Sequence, residues 1–106
     1  MRQFIWISFD LGLKGDYEGM YTWLARNKAR ECGDSLACCW YEHAGDLLAF
    51  VTKDLRKSVE FNAKSRVYVI RLVQGRMKGT FVVGHRRAAP WAGYADTGDQ
   101  DDDTDA

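Results

Sequence analysis

Cysteine, histidine and proline are scarce in these 106 residues, at three, two and one. Three cysteines (Cys32, Cys38 and Cys39) cannot all pair within one chain, which excludes a closed disulfide framework and points to a reduced, cytoplasmic protein. No apolar run approaches the roughly 18 residues of a membrane span. The start, Arg2 and a short strand-like run, lacks the apolar stretch and cleavage site of a secretory signal. There is no internal repeat, and the length suits one domain with at most a short appendage.

Net charge is absent too, but only by cancellation. All 15 Lys and Arg lie at or before Arg87, whereas six of the 15 acidic residues fall within 96–106. Residues 1–95 therefore carry 15 basic against 9 acidic groups, a net of +6, and the tail carries −6. This asymmetry fits a body that meets a polyanion, or a tail that keeps the body soluble.

Apolar residues are plentiful, and their periods predict the elements. "QFIWISFDL" (3–11) alternates as a strand, with Ile5, Ile7, Phe9 and Leu11 on one face and Phe4, Trp6, Ser8 and Asp10 on the other. Asp16 caps a helix from about Tyr17 to Asn27, with an apolar stripe of Tyr17, Met20, Tyr21 and Leu24. Two short strands, 28–32 and 36–42, join at a tight Gly33-Asp34 turn. A second helix, 47–58, turns Leu48, Val51 and Leu55 inward, and strands at 65–73 and 77–85 flank a turn at Gln74-Gly75-Arg76. The predicted class is α+β: a ferredoxin-like βαββαβ domain (1–87) with an added C-terminal strand, and two helices on one face of an antiparallel sheet. An extended segment (88–95) carries Trp91 and Tyr94 as partner anchors, and an acidic tail (96–106) is expected to be disordered. The uncovered face, with Phe4 and Trp6, is too apolar for water, so a second copy of the chain is expected to cover it.

Several residues invite chemistry. Asp10, at the end of the first strand, caps the glycine-rich turn that follows it, or ligates a metal. Mg²⁺ asks for one or two carboxylates, and a two-fold axis would bring a second Asp10. His43 and His85 fall at strand ends, and no sequence feature places either beside Asp10. The Cys32, Cys38, Cys39, His43 spacing matches no common zinc pattern, and adjacent Cys38 and Cys39 on a strand face opposite ways. "KGTFVVG" (78–84) has one aromatic, Phe81, where the strand motif of RNA-recognition domains needs alternating aromatics. The basic residues are the broader signal: Lys53, Arg56 and Lys57 share a helix face, and Arg71, Arg76, Lys78, Arg86 and Arg87 crowd the last hairpin.

An opening strand ending in Phe9-Asp10, a helix ending in "WLARNKA", then "ECGDSLACCWYE" and "SRVYVIRL" resemble the CRISPR-associated Cas-two-like superfamily, more closely its SinR-like and VapD-like members. The resemblance covers roughly residues 3–73. It implies a ferredoxin-like homodimer, either a metal-dependent nuclease or a scaffold holding nucleic acid beside an enzymatic partner, with the functional carboxylate at Asp10. The reading placed first is a small dimeric scaffold that holds nucleic acid on a basic surface. An Mg²⁺-dependent nuclease with paired Asp10 carboxylates is placed second, and a protein-binding module using 88–106 third.

Overall fold

The computed structural model describes residues 1–95. Its elements are β1 (Arg2–Asp10), α1 (Tyr17–Arg26), β2 (Arg30–Gly33), β3 (Leu36–Glu42), α2 (Leu47–Ser58), β4 (Arg66–Val73) and β5 (Arg76–Val83). The five strands form one antiparallel sheet in the order β2-β3-β1-β4-β5. The α+β class and the added strand are as predicted. The tail at 96–106 lies outside the described residues. Among the described residues, no helix is long and apolar enough to cross a membrane.

The core forms where strand alternation meets the helix stripes. Ile5, Ile7 and Phe9 of β1, Ala37, Cys39 and Tyr41 of β3, and Val67 and Val69 of β4 cluster with Met20 and Trp23 of α1 and Leu47, Val51 and Leu55 of α2. Both helices therefore cover the same face of the sheet. Each begins on an aspartate whose carboxylate accepts a backbone N–H three residues on: Asp16 from Gly19 at 2.9 Å, Asp46 from Ala49 at 2.9 Å. Asp16 does more, because its second oxygen accepts the Glu60 N–H at 2.9 Å and ties the start of α1 to the exit of α2. Gly19 permits that approach; a Cβ there would overlap the Asp16 carboxylate and the Ser58 carbonyl.

Some predicted details are corrected. On α1, Met20 is buried and Tyr17 and Leu24 pack against the core as predicted, but Tyr21 is half exposed and Trp23 takes the buried place. Trp23 goes inside because its indole N–H donates to Asp54 at 3.0 Å, an oxygen that also accepts the Tyr41 hydroxyl at 2.8 Å. On α2, Leu47 is buried and Leu48 only partly. β2 starts at Arg30, since α1 closes with Ala29 N–H to Leu24 O and Lys28 N–H to Ala25 O, and Lys28 takes φ 55°. The β2–β3 turn is centred on Asp34-Ser35, one residue beyond the predicted Gly33-Asp34. β5 spans 76–83, because Gln74 and Gly75, at φ 51° and 80°, make a two-residue hairpin turn. Within 88–95 the chain turns from Pro90 onward, with Ala92 N–H to Ala89 O and Tyr94 N–H to Trp91 O.

Candidate functional site

Pairing register fixes what the face away from the helices presents. Asp10 pairs with Arg66, Ser8 with Tyr68, and Tyr68 with Phe81. Trp6 pairs with Cys38 and Ile70, and Ile70 with Gly79. Further along, Phe4 pairs with Trp40 and Leu72 with Met77. One end of this open face is therefore charged and aromatic, and the other is apolar.

At the charged end, Asp10 Oδ2 accepts from Arg66 Nη2 at 3.2 Å and from Arg87 Nη2 at 3.3 Å, and Oδ1 accepts the Gly12 N–H at 3.3 Å. The Arg66 hydrogen bond, chiefly, holds the Asp10 carboxyl below its ordinary value. Asp10 thus caps the turn, as one of the two readings held. Arg66 keeps its buried Nε without an acceptor among the described residues.

Beside this pair, the Tyr68 and Phe81 rings lie 4.7 Å apart, inclined at 59°. A Cβ built on Gly79 would overlap the Tyr68 ring, so the phenol lies across a strand position that has no side chain. The Arg86 guanidinium sits over both rings, 5.9 Å from the Tyr68 centroid and 5.5 Å from that of Phe81. Ser8, Asp10, Arg66, Tyr68, Phe81 and Arg86 enclose a recess of about 240 Å³. A wider one of about 640 Å³ shares Arg66, Phe81 and Arg86 and runs on to Arg87, Pro90 and Trp91.

The apolar end is an aromatic cluster open to solvent. Phe4 meets Trp6 edge-on at 4.9 Å and Trp40 at 5.2 Å, and Arg2 lies 4.8 Å over Trp40. Trp40, Leu72 and Met77 are each more than half exposed. Tyr94 is exposed, whereas Trp91, also exposed, lines the wider recess.

The predicted basic set divides between the two faces. Arg86 and Arg87 join the recess. Arg71, Arg76 and Lys78 alternate with the open-face residues of β4 and β5, and so point to the helix side. Lys53, Arg56 and Lys57 lie exposed on α2, across the sheet, with Arg56 over Phe61. Cys32 and Cys38 approach to 3.4 Å between sulfurs, while Cys39 lies in the core, where burial pushes its thiol up to about 11. All three cysteines are free. His43 contacts the Gly45 carbonyl, and His85 is exposed.

Arg66, Tyr68 and Gly79 were not singled out from the sequence. The signals were the alternation of "RVYVI", which sends Arg66 and Tyr68 opposite to Val67 and Val69, and a lone glycine inside a strand. The second ring missing from "KGTFVVG" comes from the neighbouring strand.

The Asp10 arrangement does not fit Mg²⁺. One oxygen is shared by two guanidiniums and the other by a backbone N–H, so a cation would displace positive charge to reach it. Among the described residues, no three His, Cys, Asp or Glu gather as metal ligands. No family model, curated protein or solved structure matches the chain.

Proposed function

We propose that the protein is a small, non-catalytic scaffold that holds nucleic acid through the charged end of its open sheet face. One observation carries this reading. Arg86 lies over the Tyr68 and Phe81 rings and Arg66 over Phe81, Arg87 reaches the same corner through Asp10, and Asp10 is the single carboxylate lining either recess among the described residues. Three guanidiniums against one carboxylate leave a local excess of positive charge, on a described body that already carries +6. Guanidiniums bind phosphate through paired N–H groups without reading sequence.

The ferredoxin-like topology and the Cas-two-like relationship belong to the same proposal. They are supported by the two β-α-β crossovers and by β1 lying between β3 and β4, with β5 as an added edge. The homodimer is supported by the apolar end, where exposed Trp40, Leu72 and Met77 adjoin half-buried Phe4 and Trp6, with Arg2 over the Trp40 ring. A second copy covering that end leaves the two recesses open. Replacing Leu72 and Met77 together by lysine is expected to give monomers in sedimentation, and an unchanged dimer would exclude this interface. The nuclease reading ranks lower because Asp10 is already neutralised by two arginines.

Salt-dependent binding of labelled oligonucleotides tests the scaffold. Each phosphate contact contributes about −0.7 to −0.9 to the slope of log K against log salt. Arg86→Ala is expected to reduce the slope by about one contact, with no cleavage of the label in Mg²⁺. Binding that ignores salt, or is unaffected by Arg86→Ala and Arg87→Ala together, would remove the recess from the interaction.

A further inference from the structure

We infer that the recess takes single-stranded RNA, with one base laid on the Tyr68 ring and the flanking phosphates on Arg66, Arg86 and Arg87. The inference rests on the nucleic-acid reading above and specifies its ligand.

Cations alone would serve any polyanion, but the rings narrow the choice. Tyr68 lies down across Gly79, where any other residue would prop the ring upright. A ring laid along a sheet offers its face to a planar partner. The Arg86 guanidinium, itself planar and delocalised, already rests over Tyr68 and Phe81. Among the described residues it has no carboxylate partner, so only ring contacts hold it there. An incoming base takes that place over the rings, and Arg86 turns to the adjacent phosphate. Stacking of this kind accepts every base, because each has a π face.

Shape then selects single strands. The recess is a shallow hollow of about 240 Å³ in a sheet face, and a nucleotide must be splayed out to enter it. Duplex bases are stacked and paired, and neither groove of a duplex receives a broad sheet face. The sugar is chosen by two acceptors. Ser8 and Asp10 line the same recess, and a ribose 2′-hydroxyl can donate to either, which deoxyribose cannot.

The test is fluorescence anisotropy on the full chain at low salt. Its three probes are a labelled 12-mer RNA strand, the DNA strand of the same sequence and the RNA duplex. The RNA strand is expected to bind about tenfold tighter than the duplex and a few-fold tighter than the DNA strand. Tyr68→Leu keeps an apolar side chain without the ring and should lose about tenfold on the RNA strand while leaving the duplex unchanged. Tyr68→Phe should restore binding, and Gly79→Ala, which lifts the ring, should behave like Tyr68→Leu. Circular dichroism of each variant confirms the fold.

Equal binding of strand and duplex, or Tyr68→Leu binding like the wild type, overturns the inference and leaves the scaffold reading standing. Equal binding of RNA and DNA strands overturns the assignment to RNA. If none of the three probes binds, the nucleic-acid reading itself fails.

Discussion

The two faces of the sheet are built from the same alternating strands, yet they end in opposite states. On the helix-covered face, Ile5, Ile7, Val67 and Val69 lose all contact with water. On the open face, Trp6, Tyr68 and Ile70 are half-buried and Trp40 is 55% exposed. Aromatic content does not separate them, since each holds several rings. What separates them is partners: two capped helices cover one face, and among the described residues no helix covers the other. Apolar surface that a fold leaves uncovered, with arginines gathered at one edge, is material for binding rather than for stability.

Tryptophan truncation on each face breaks or sharpens this contrast most directly. Trp23→Ala removes a ring that is 1% exposed and should cost about 3–5 kcal/mol in urea unfolding. Trp40→Ala removes one that is mostly in water and should cost less than about 1 kcal/mol. Equal losses would mean that the open face contributes to stability as a core does, as in a dimer that unfolds only with its partner.

Next in size is the carboxylate that lets two large rings be buried. Asp54 Oδ2 accepts both the Trp23 indole N–H and the Tyr41 hydroxyl, and Tyr41 is 1% exposed. Burial, then the neighbouring Asp54, raises the Tyr41 phenol far above its ordinary value, so it stays a donor throughout the accessible range. Asp54→Ala strands both donors and should cost about 2–3 kcal/mol, with Asp54→Asn losing less because an oxygen remains. A loss for Asp54→Ala no greater than that of a surface substitution would show that water replaces the carboxylate.

The fold was more legible in the sequence than the site. Alternation in "QFIWISFDL" and the aspartate at 16 are local signals, and both settled as predicted; Asp46 caps α2 in the same way. Trp23 was not legible, since its burial depends on an acceptor 31 residues away on another helix. The recess was legible in part: Asp10, Arg86 and Arg87 stood out by type and position. Its rings and third arginine depend on cross-strand register, and a shift between Val67 and Tyr68 sets which residue of β5 meets Tyr68. The same alternation sent Arg71, Arg76 and Lys78 away from residues close to them in sequence. Composition counted these charges together; the pleat separates them.

Acid should distinguish the faces again, with smaller effect. Asp10 is held below the ordinary carboxyl value of 3.8 chiefly by Arg66, and Asp16 chiefly by the Glu60 N–H and then that of Gly19. A carboxyl depressed in the folded state adds stability that is complete above the unfolded value. That stability is lost as pH falls through the lowered one. The Asp10 pairs are half exposed and screened by water, so they contribute little. Asp16 bonds to backbone and links the two helices, so the helix side should carry the acid-sensitive share. Urea midpoints at pH 5 and pH 3 test this: Asp16→Ala should flatten the pH dependence more than Asp10→Ala. The reverse order would place the larger linkage on the open face.

The smallest effect bears on what meets the charged end when no other ligand does. Residues 96–106 carry six carboxylates and no cation, against the +6 of the body. They follow Trp91, which lines the wider recess, by only a few positions. Eleven residues span at most about 36–40 Å when extended. A flexible tether of this length corresponds to an effective concentration of order millimolar, so the tail is expected to compete with phosphate at these guanidiniums. A chain ending at residue 95 should therefore bind the RNA strand a few-fold tighter at low salt. The advantage should vanish near molar salt, where the Debye length is about 3 Å. Helix-side variants such as Lys53→Ala should leave that advantage intact, whereas Arg86→Ala should shrink it. If truncation leaves affinity unchanged at low salt, the tail does not compete for the recess, and its six carboxylates act elsewhere than on these arginines.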